Sequence, residues 1–175
     1  GTQANQVALR LLTRPGDDVI VAREAHSVWH EAGGSAANGG VHFTEIGERG
    51  VFSVEQMREA IKPRNLDIFA PTSLVQIENT HNRMGGVIFP QAQVIDICAA
   101  ARAHGLACYL DGARLWNVSA ATGLPVAELA APFDLVMVSM SKGLGAPAGS
   151  LLAGPRELIG AAVRHRRMLG GAMRQ

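Results

Sequence analysis

The chain predicts an α/β fold, a three-layer sandwich in which a mainly parallel sheet lies between helices, and three observations predict it. Short apolar runs rich in Val, Ile and Leu alternate with longer amphipathic stretches, the order of successive βα units. Turn residues punctuate the runs, and no repeat, linker or low-complexity stretch interrupts the series. With 47% hydrophobic and 18% charged residues, 175 residues suffice for one buried core and do not read as disordered.

Each element has a local reason. Residues 5–13 have helical spacing, and Asp17-Asp18 then leads into a buried strand over 19–22. Residues 27–38 read as one helix and 41–46 as an alternating strand. Ser53 caps a helix through 61 that Pro63 closes. A strand over 73–77, a helix over 91–104 ended by Gly105 and a strand over 106–110 follow. Helical turns run to 129, before a strand over 134–139, a loop, a short strand over 150–153 and a helix from Pro155. Parallel sheets of this kind gather ligands at the carboxyl ends of their strands.

Charge and cysteine usage narrow the classes. Sixteen Lys+Arg against fifteen Asp+Glu leave a formal charge of +1, which argues against nucleic acid or a membrane surface as partner. The basic run Arg164-His165-Arg166-Arg167 is accordingly read as a solvated helix face. Cys98 and Cys108 sit in apolar surroundings without a CxxC pattern, as core residues of a protein in a reducing compartment. No apolar run approaches the roughly twenty residues of a membrane span and no charged-then-apolar leader opens the chain, so a cytoplasmic protein is expected. The opening at Gly1 and the end at Gln175, just past a glycine-rich turn, read as those of a fragment.

Two strand ends carry chemistry. The first is Leu110-Asp111-Gly112-Ala113-Arg114, where Asp111 either caps the next helix or serves a ligand. The second is Ser141-Lys142-Gly143-Leu144-Gly145-Ala146-Pro147. Only Lys62 and Lys142 can supply a side-chain amine. Lys142, on a glycine-rich turn between apolar strands, is expected to be desolvated, as Schiff-base lysines are. Lys62, in Ile61-Lys62-Pro63-Arg64, is expected to be a solvated surface residue. A phosphate-binding GxxxxGK[ST] loop fails because the glycines follow the lysine, and GxGxxG fails because Gly143, Gly145 and Gly149 are wrongly spaced. An acid at one strand end and a lysine at another meet the needs of pyridoxal 5'-phosphate: the amine holds the aldehyde while the carboxylate keeps the pyridine nitrogen protonated.

At these residues the chain resembles the fold-type I pyridoxal-phosphate enzymes, and within them the low-specificity threonine aldolases. The resemblance is carried by Gly1-Thr2-Gln3-Ala4-Asn5, Glu24-Ala25-His26, Glu78-Asn79-Thr80-His81-Asn82, Asp111-Gly112-Ala113-Arg114-Leu115-Trp116-Asn117, the Lys142 segment, and Gly170-Gly171-Ala172-Met173-Arg174-Gln175. It implies that residues 1–175 are the central part of a cofactor-binding large domain, whose N-terminal segment and small C-terminal domain lie outside the chain. Lys142 would carry the cofactor, Asp111 would pair with the pyridine nitrogen, and Arg114 would grip the substrate carboxylate by a bidentate pair. Gly1 and Thr2, before a helix, would cup the cofactor phosphate. His26 would stack on the ring. A rival reading joins His26, His30 and Glu31 as metal ligands, but HExxH order and a third ligand are missing, so no metal is expected. Arg174 would reach a neighbouring subunit's cofactor, which implies a homodimer or homotetramer with shared sites.

The activity so implied is retro-aldol cleavage of a small amino-acid substrate, L-threonine or L-allo-threonine, to glycine and acetaldehyde. If the base that takes the β-hydroxyl proton is a histidine, His81 is the first candidate. The same groups serve β-elimination or transamination, and a non-catalytic module binding a phosphorylated small molecule is the alternative from another class. One departure stands out: family members often have a histidine in a stretch here occupied by Ile68-Phe69-Ala70-Pro71-Thr72-Ser73-Leu74. That leaves the preference between diastereomers open.

Overall fold

A computed structural model describes residues 1–172. Six strands form one sheet: β1 (Asp18–Ala22), β2 (His42–Ile46), β3 (Thr72–Glu78), β4 (Ala107–Gly112), β5 (Leu135–Ser139) and β6 (Ser150–Ala153), in the spatial order β2-β1-β3-β4-β5-β6. All neighbours pair parallel except β5 and β6, which are antiparallel. The helices are α1 (Thr2–Leu12), α2 (His26–Trp29), α3 (Val54–Ala60), α4 (Gln91–Ala103), α5 (Leu115–Thr122), α6 (Val126–Ala130) and α7 (Arg156–Met168).

Alternation along the strands divides the core into two layers. Ile20, Val75, Ile77, Cys108, Leu110 and Val138 face one way, where Met57 of α3, Ile97 of α4 and Leu115 and Val118 of α5 cover them. Val19, Val21, Leu74, Tyr109 and Met137 face the other, against Ala4, Ala8 and Leu9 of α1 and Leu158 and Ile159 of α7. Successive side chains of a strand point to opposite faces, so strands apolar at both parities need helices on both sides. Each fully buried Ile, Leu or Val contributes about 1.5–3 kcal/mol by removal from water. The three-layer sandwich expected from the sequence is therefore present, with Cys98 and Cys108 both buried and free.

Local signals hold in most places. Ser53 and Gln56 form a reciprocal capping box at the start of α3. Gly105, at φ 71°, follows the end of α4. Helix α1 begins at Thr2, earlier than its spacing indicated.

Two expectations are corrected. Residues 27–38 do not form one helix: α2 ends after Trp29, and a separate π-helical turn spans Ser35–Gly39. Ala32 and Gly33 lie at φ 50° and 73°, and a right-handed helix cannot continue through two left-handed residues. Lys62 is not a solvated surface residue. Its Nζ lies 2.7 Å from Oδ1 of Asp18, a carboxylate with no exposed surface, which also accepts from the hydroxyls of Thr44 (2.7 Å) and Thr72 (3.1 Å). The buried acid at the start of β1 draws in the nearest flexible amine, because an unpaired carboxylate there would be strongly destabilising.

Candidate active site

The carboxyl ends of β1, β3, β4 and β5 and the start of α1 converge. Strand order reverses between β1 and β3, the crevice where open α/β sheets bind ligands. Gly1, His26, Glu78, Asp111, Arg114 and Lys142 line one cleft there.

Asp111 ends β4 with 1% of its surface exposed. Its Oδ1 accepts the Ala113 N–H at 3.1 Å, and its Oδ2 accepts from Asn5 Nδ2 at 2.8 Å. Asn5 lies on the inner face of α1, and its amide orientation is set from behind by the Tyr109 hydroxyl, which donates to Asn5 Oδ1 at 2.5 Å. Complete burial pushes the Tyr109 phenol well above its usual range, so it remains a donor. The second Asn5 amide hydrogen goes to Glu31 Oε1 at 2.6 Å.

His26 begins α2 two residues after Glu24, a non-glycine residue at φ 60°, a conformation that tends to persist where the surroundings over-determine it. The His26 backbone N–H donates to Glu78 Oε2 at 2.7 Å, and its Nδ1 lies 3.2 Å from Glu31 Oε1. The hydrogen bond to Glu31 raises the imidazole above its ordinary value, against desolvation and with help from the charges of Asp111, Glu31 and Glu78. Glu78 also accepts from the Asn82 N–H at 2.9 Å; burial, then the charge of Asp111, raises its carboxyl.

Lys142 sits on the loop leaving β5, in a turn closed by the Gly145 N–H on its carbonyl at 2.9 Å. The expected desolvation of this amine is not what the chain shows, since Lys142 is exposed. A loop held away from the sheet leaves the side chain in water, and it is access to the cleft that distinguishes Lys142 from Lys62. Gly1 caps α1 without a side-chain hydrogen bond, which leaves the first amides of that helix directed at the cleft mouth beside Thr2. A neighbouring polar cleft joins Gly1 to Ser141, Gly149, Arg166 and Arg167. Those two arginines were read from the sequence as a solvated face; they do face solvent, but across the end of α1.

His81 has no exposed surface, and neither ring nitrogen has a hydrogen-bond partner. Its Nε2 lies 3.8 Å from Glu78 Oε2, and its ring packs where a Cβ on Gly50 would stand 2.6 Å from Cγ. It stands behind Glu78 rather than on the cleft wall. Arg174 lies outside the described residues. Among the described residues, His26, Glu31 and Asp111 bring potential ligand atoms within 4.8 Å of one another, so the third group is Asp111 and not His30. The Asn5 amide donates to both carboxylates, placing N–H groups where a shared cation would need lone pairs.

Sequence reasoning gave Asn5 and Tyr109 no role, and it placed Glu31 beside His26 only as a rejected metal ligand. The spacing of Asn5 on α1 marks an inward polar residue and was the one available signal; Glu31 turns inward only because the helix breaks at Ala32.

The donor set fits pyridoxal 5'-phosphate: a reachable amine, a buried carboxylate fixed by two donors, an imidazole beside it, and an open helix end flanked by guanidinium groups. This fold, with this donor set at its strand ends, is the fold of the fold-type I pyridoxal-phosphate enzymes. Residues 1–175 match the sequence family described as beta-eliminating lyase, and the chain belongs to that family. It is 40% identical over 177 residues to the low-specificity L-threonine aldolase of Escherichia coli O157:H7, covering 100% of this chain and 52% of that protein. It is 36% identical over 179 residues to low-specificity L-threonine aldolase 1 of Arabidopsis thaliana, covering 100% and 50%. The structure of Leishmania major threonine aldolase superposes with a TM-score of 0.84 at 27% identity, covering 99% of this chain and 51% of that one. The chain thus spans about half the length of the curated relatives it matches.

Proposed function

We propose that this chain is the cofactor-binding part of an aldolase that cleaves L-threonine or L-allo-threonine to glycine and acetaldehyde. The observation that carries the reading is that Lys142 and Asp111, from adjacent strands β5 and β4, line one cleft with Arg114 and the start of α1. The naming of its relatives as threonine aldolases supports it.

Pyridoxal phosphate, when bound, supplies an electron sink for the Cα–Cβ bond electrons. Lys142 Nζ is the amine that would hold its aldehyde, and Asp111, held by Asn5 and the Ala113 N–H, would keep a proton on its ring nitrogen. The amides of Gly1 and Thr2 would meet the phosphate, with Arg166 and Arg167 completing the positive field. His26 would cover the ring face. Arg114 would orient the substrate through its carboxylate. Glu78 lines the cleft, and burial raises its carboxyl and so makes the carboxylate a stronger base, so we assign it the acceptance of the β-hydroxyl proton, with His81 behind it rather than the contacting base.

We further propose a cytoplasmic homodimer or homotetramer in which Arg174 completes a neighbour's site. No helix among the described residues is long and apolar enough to cross a membrane, and the two buried cysteines are free, as a reducing compartment would keep them. The test is acetaldehyde release from threonine by the full-length protein and by its Lys142→Ala variant. Release that is lost in the variant supports the reading, and undiminished release contradicts it.

A further inference from the structure

Glu31 bears three features that packing does not explain. Its side chain has no exposed surface, yet no lysine or arginine pairs with it among the described residues. Its Oε2 is buried without a hydrogen-bond partner, while Oε1 meets both Asn5 Nδ2 and His26 Nδ1. The backbone just after it adopts the left-handed conformation at Ala32, a residue with a Cβ, and this break directs Glu31 into the sheet. A buried, half-satisfied carboxylate is retained only where something compensates for it.

The compensating partner is the His26 imidazole. We propose that Glu31 is a positioning residue that keeps the proton on His26 Nδ1 and, through Asn5, aims Asp111, so that His26 offers only Nε2 to the cleft. This inference rests on reading the cleft as a pyridoxal-phosphate site.

The geometry accounts for both halves. A carboxylate 3.2 Å from Nδ1 accepts from N–H and cannot donate, which selects the Nδ1-protonated ring. The single Asn5 amide spends one hydrogen on Glu31 and the other on Asp111, so the two carboxylates cannot move independently. The charged groups facing His26 are Glu31, Asp111 at the end of β4 and Glu78 at the end of β3; His30 lies one turn along α2 with its ring 5.4 Å away, and Lys142 lines the same cleft. The carboxylates favour the imidazolium, and the hydrogen bond to Glu31 is the largest single contribution.

The test is imidazole nitrogen NMR of the full-length protein, with and without pyridoxal phosphate, beside a pH titration of the visible absorbance of the loaded protein. In the wild type His26 should carry its proton on Nδ1 across the titration and lose the Nε2 proton with a midpoint above 6.5. In Glu31→Gln, which keeps an acceptor but removes the charge, the proton affinity of His26 should fall about tenfold or more, with the absorbance titration moving in step. Glu31→Asp should recover part of the shift. A wild-type His26 protonated on Nε2 alone, or an unchanged midpoint in Glu31→Gln, overturns the proposal. If Glu31→Gln does not fold, the wild-type tautomer decides. Failure of the wild type to take up pyridoxal phosphate would instead overturn the cofactor reading, and the imidazole spectra of the unloaded protein would still judge Glu31.

Discussion

Asn5 holds Asp111: the amide of the first helix donates to Oδ2 of the strand-end carboxylate at 2.8 Å, across 106 residues of sequence. Tyr109, two residues before Asp111 on the same face of β4, fixes the other end of that amide. A helix, a strand and a helix-breaking turn are thereby tied at the point where the cofactor nitrogen would sit.

Replacing Asn5 should therefore be felt twice. Asn5→Leu leaves the Tyr109 hydroxyl and two carboxylates without their shared partner, and each buried orphan costs about 1–3 kcal/mol. Urea unfolding should show a loss of about 3 kcal/mol at the low end of that sum. Affinity for pyridoxal phosphate should fall as well, because Asp111 loses its aim. A variant with wild-type stability and affinity would mean the network is ornamental.

The two histidines of the site titrate in opposite senses. Burial lowers His81, so the folded state stays neutral where the unfolded chain already binds a proton, and stability is lost as pH falls below 6.5. His26 is raised, so its contribution is present below 6.5 and is lost as pH rises through its folded value. His81→Leu should flatten the acid limb of a stability-against-pH curve measured by urea unfolding, while leaving the alkaline side unchanged. An equally steep acid limb in the variant would contradict the assignment.

Lys62 should matter for stability and not for chemistry. Lys62→Met leaves Asp18 buried beside two hydroxyls without its cation, and breaking such a pair costs about 3 kcal/mol, the lower end of the usual range because Lys62 keeps some contact with water. Asp18 opens β1 and the cleft lies at the other end of the strands, so cofactor binding by the folded variant should be unaltered. Thermal or urea unfolding and cofactor titration separate the two outcomes.

Much of the site was legible because strands report their ends. Asp111 is a polar residue at the end of an apolar strand and Lys142 lies on the loop leaving the next, and a parallel sheet brings such ends together without further information. Ser53 and Gln56 likewise declared a helix start through a purely local capping box. What stayed hidden depends on contacts between distant segments. The apolar spacing around Ser27–Asn38 fits a helix, and only the left-handed pair Ala32 and Gly33 reveals that Glu31 turns inward. Lys62 looked solvated since its partner, Asp18, is brought beside it by the sheet and not by the chain. The exposure of Lys142 was misjudged for a related reason: flanking apolar strands say nothing about how far the loop between them stands from the core.

The central claim is that Lys142 is the amine that holds pyridoxal phosphate. The direct measurement is borohydride reduction of the full-length protein loaded with pyridoxal phosphate, followed by peptide mass mapping of Lys62 and Lys142. A pyridoxyl group on Lys142, with Lys62 protected by its bond to Asp18, is the predicted result. Labelling of Lys62 in preference to Lys142, or no adduct at all on the folded protein, would contradict it.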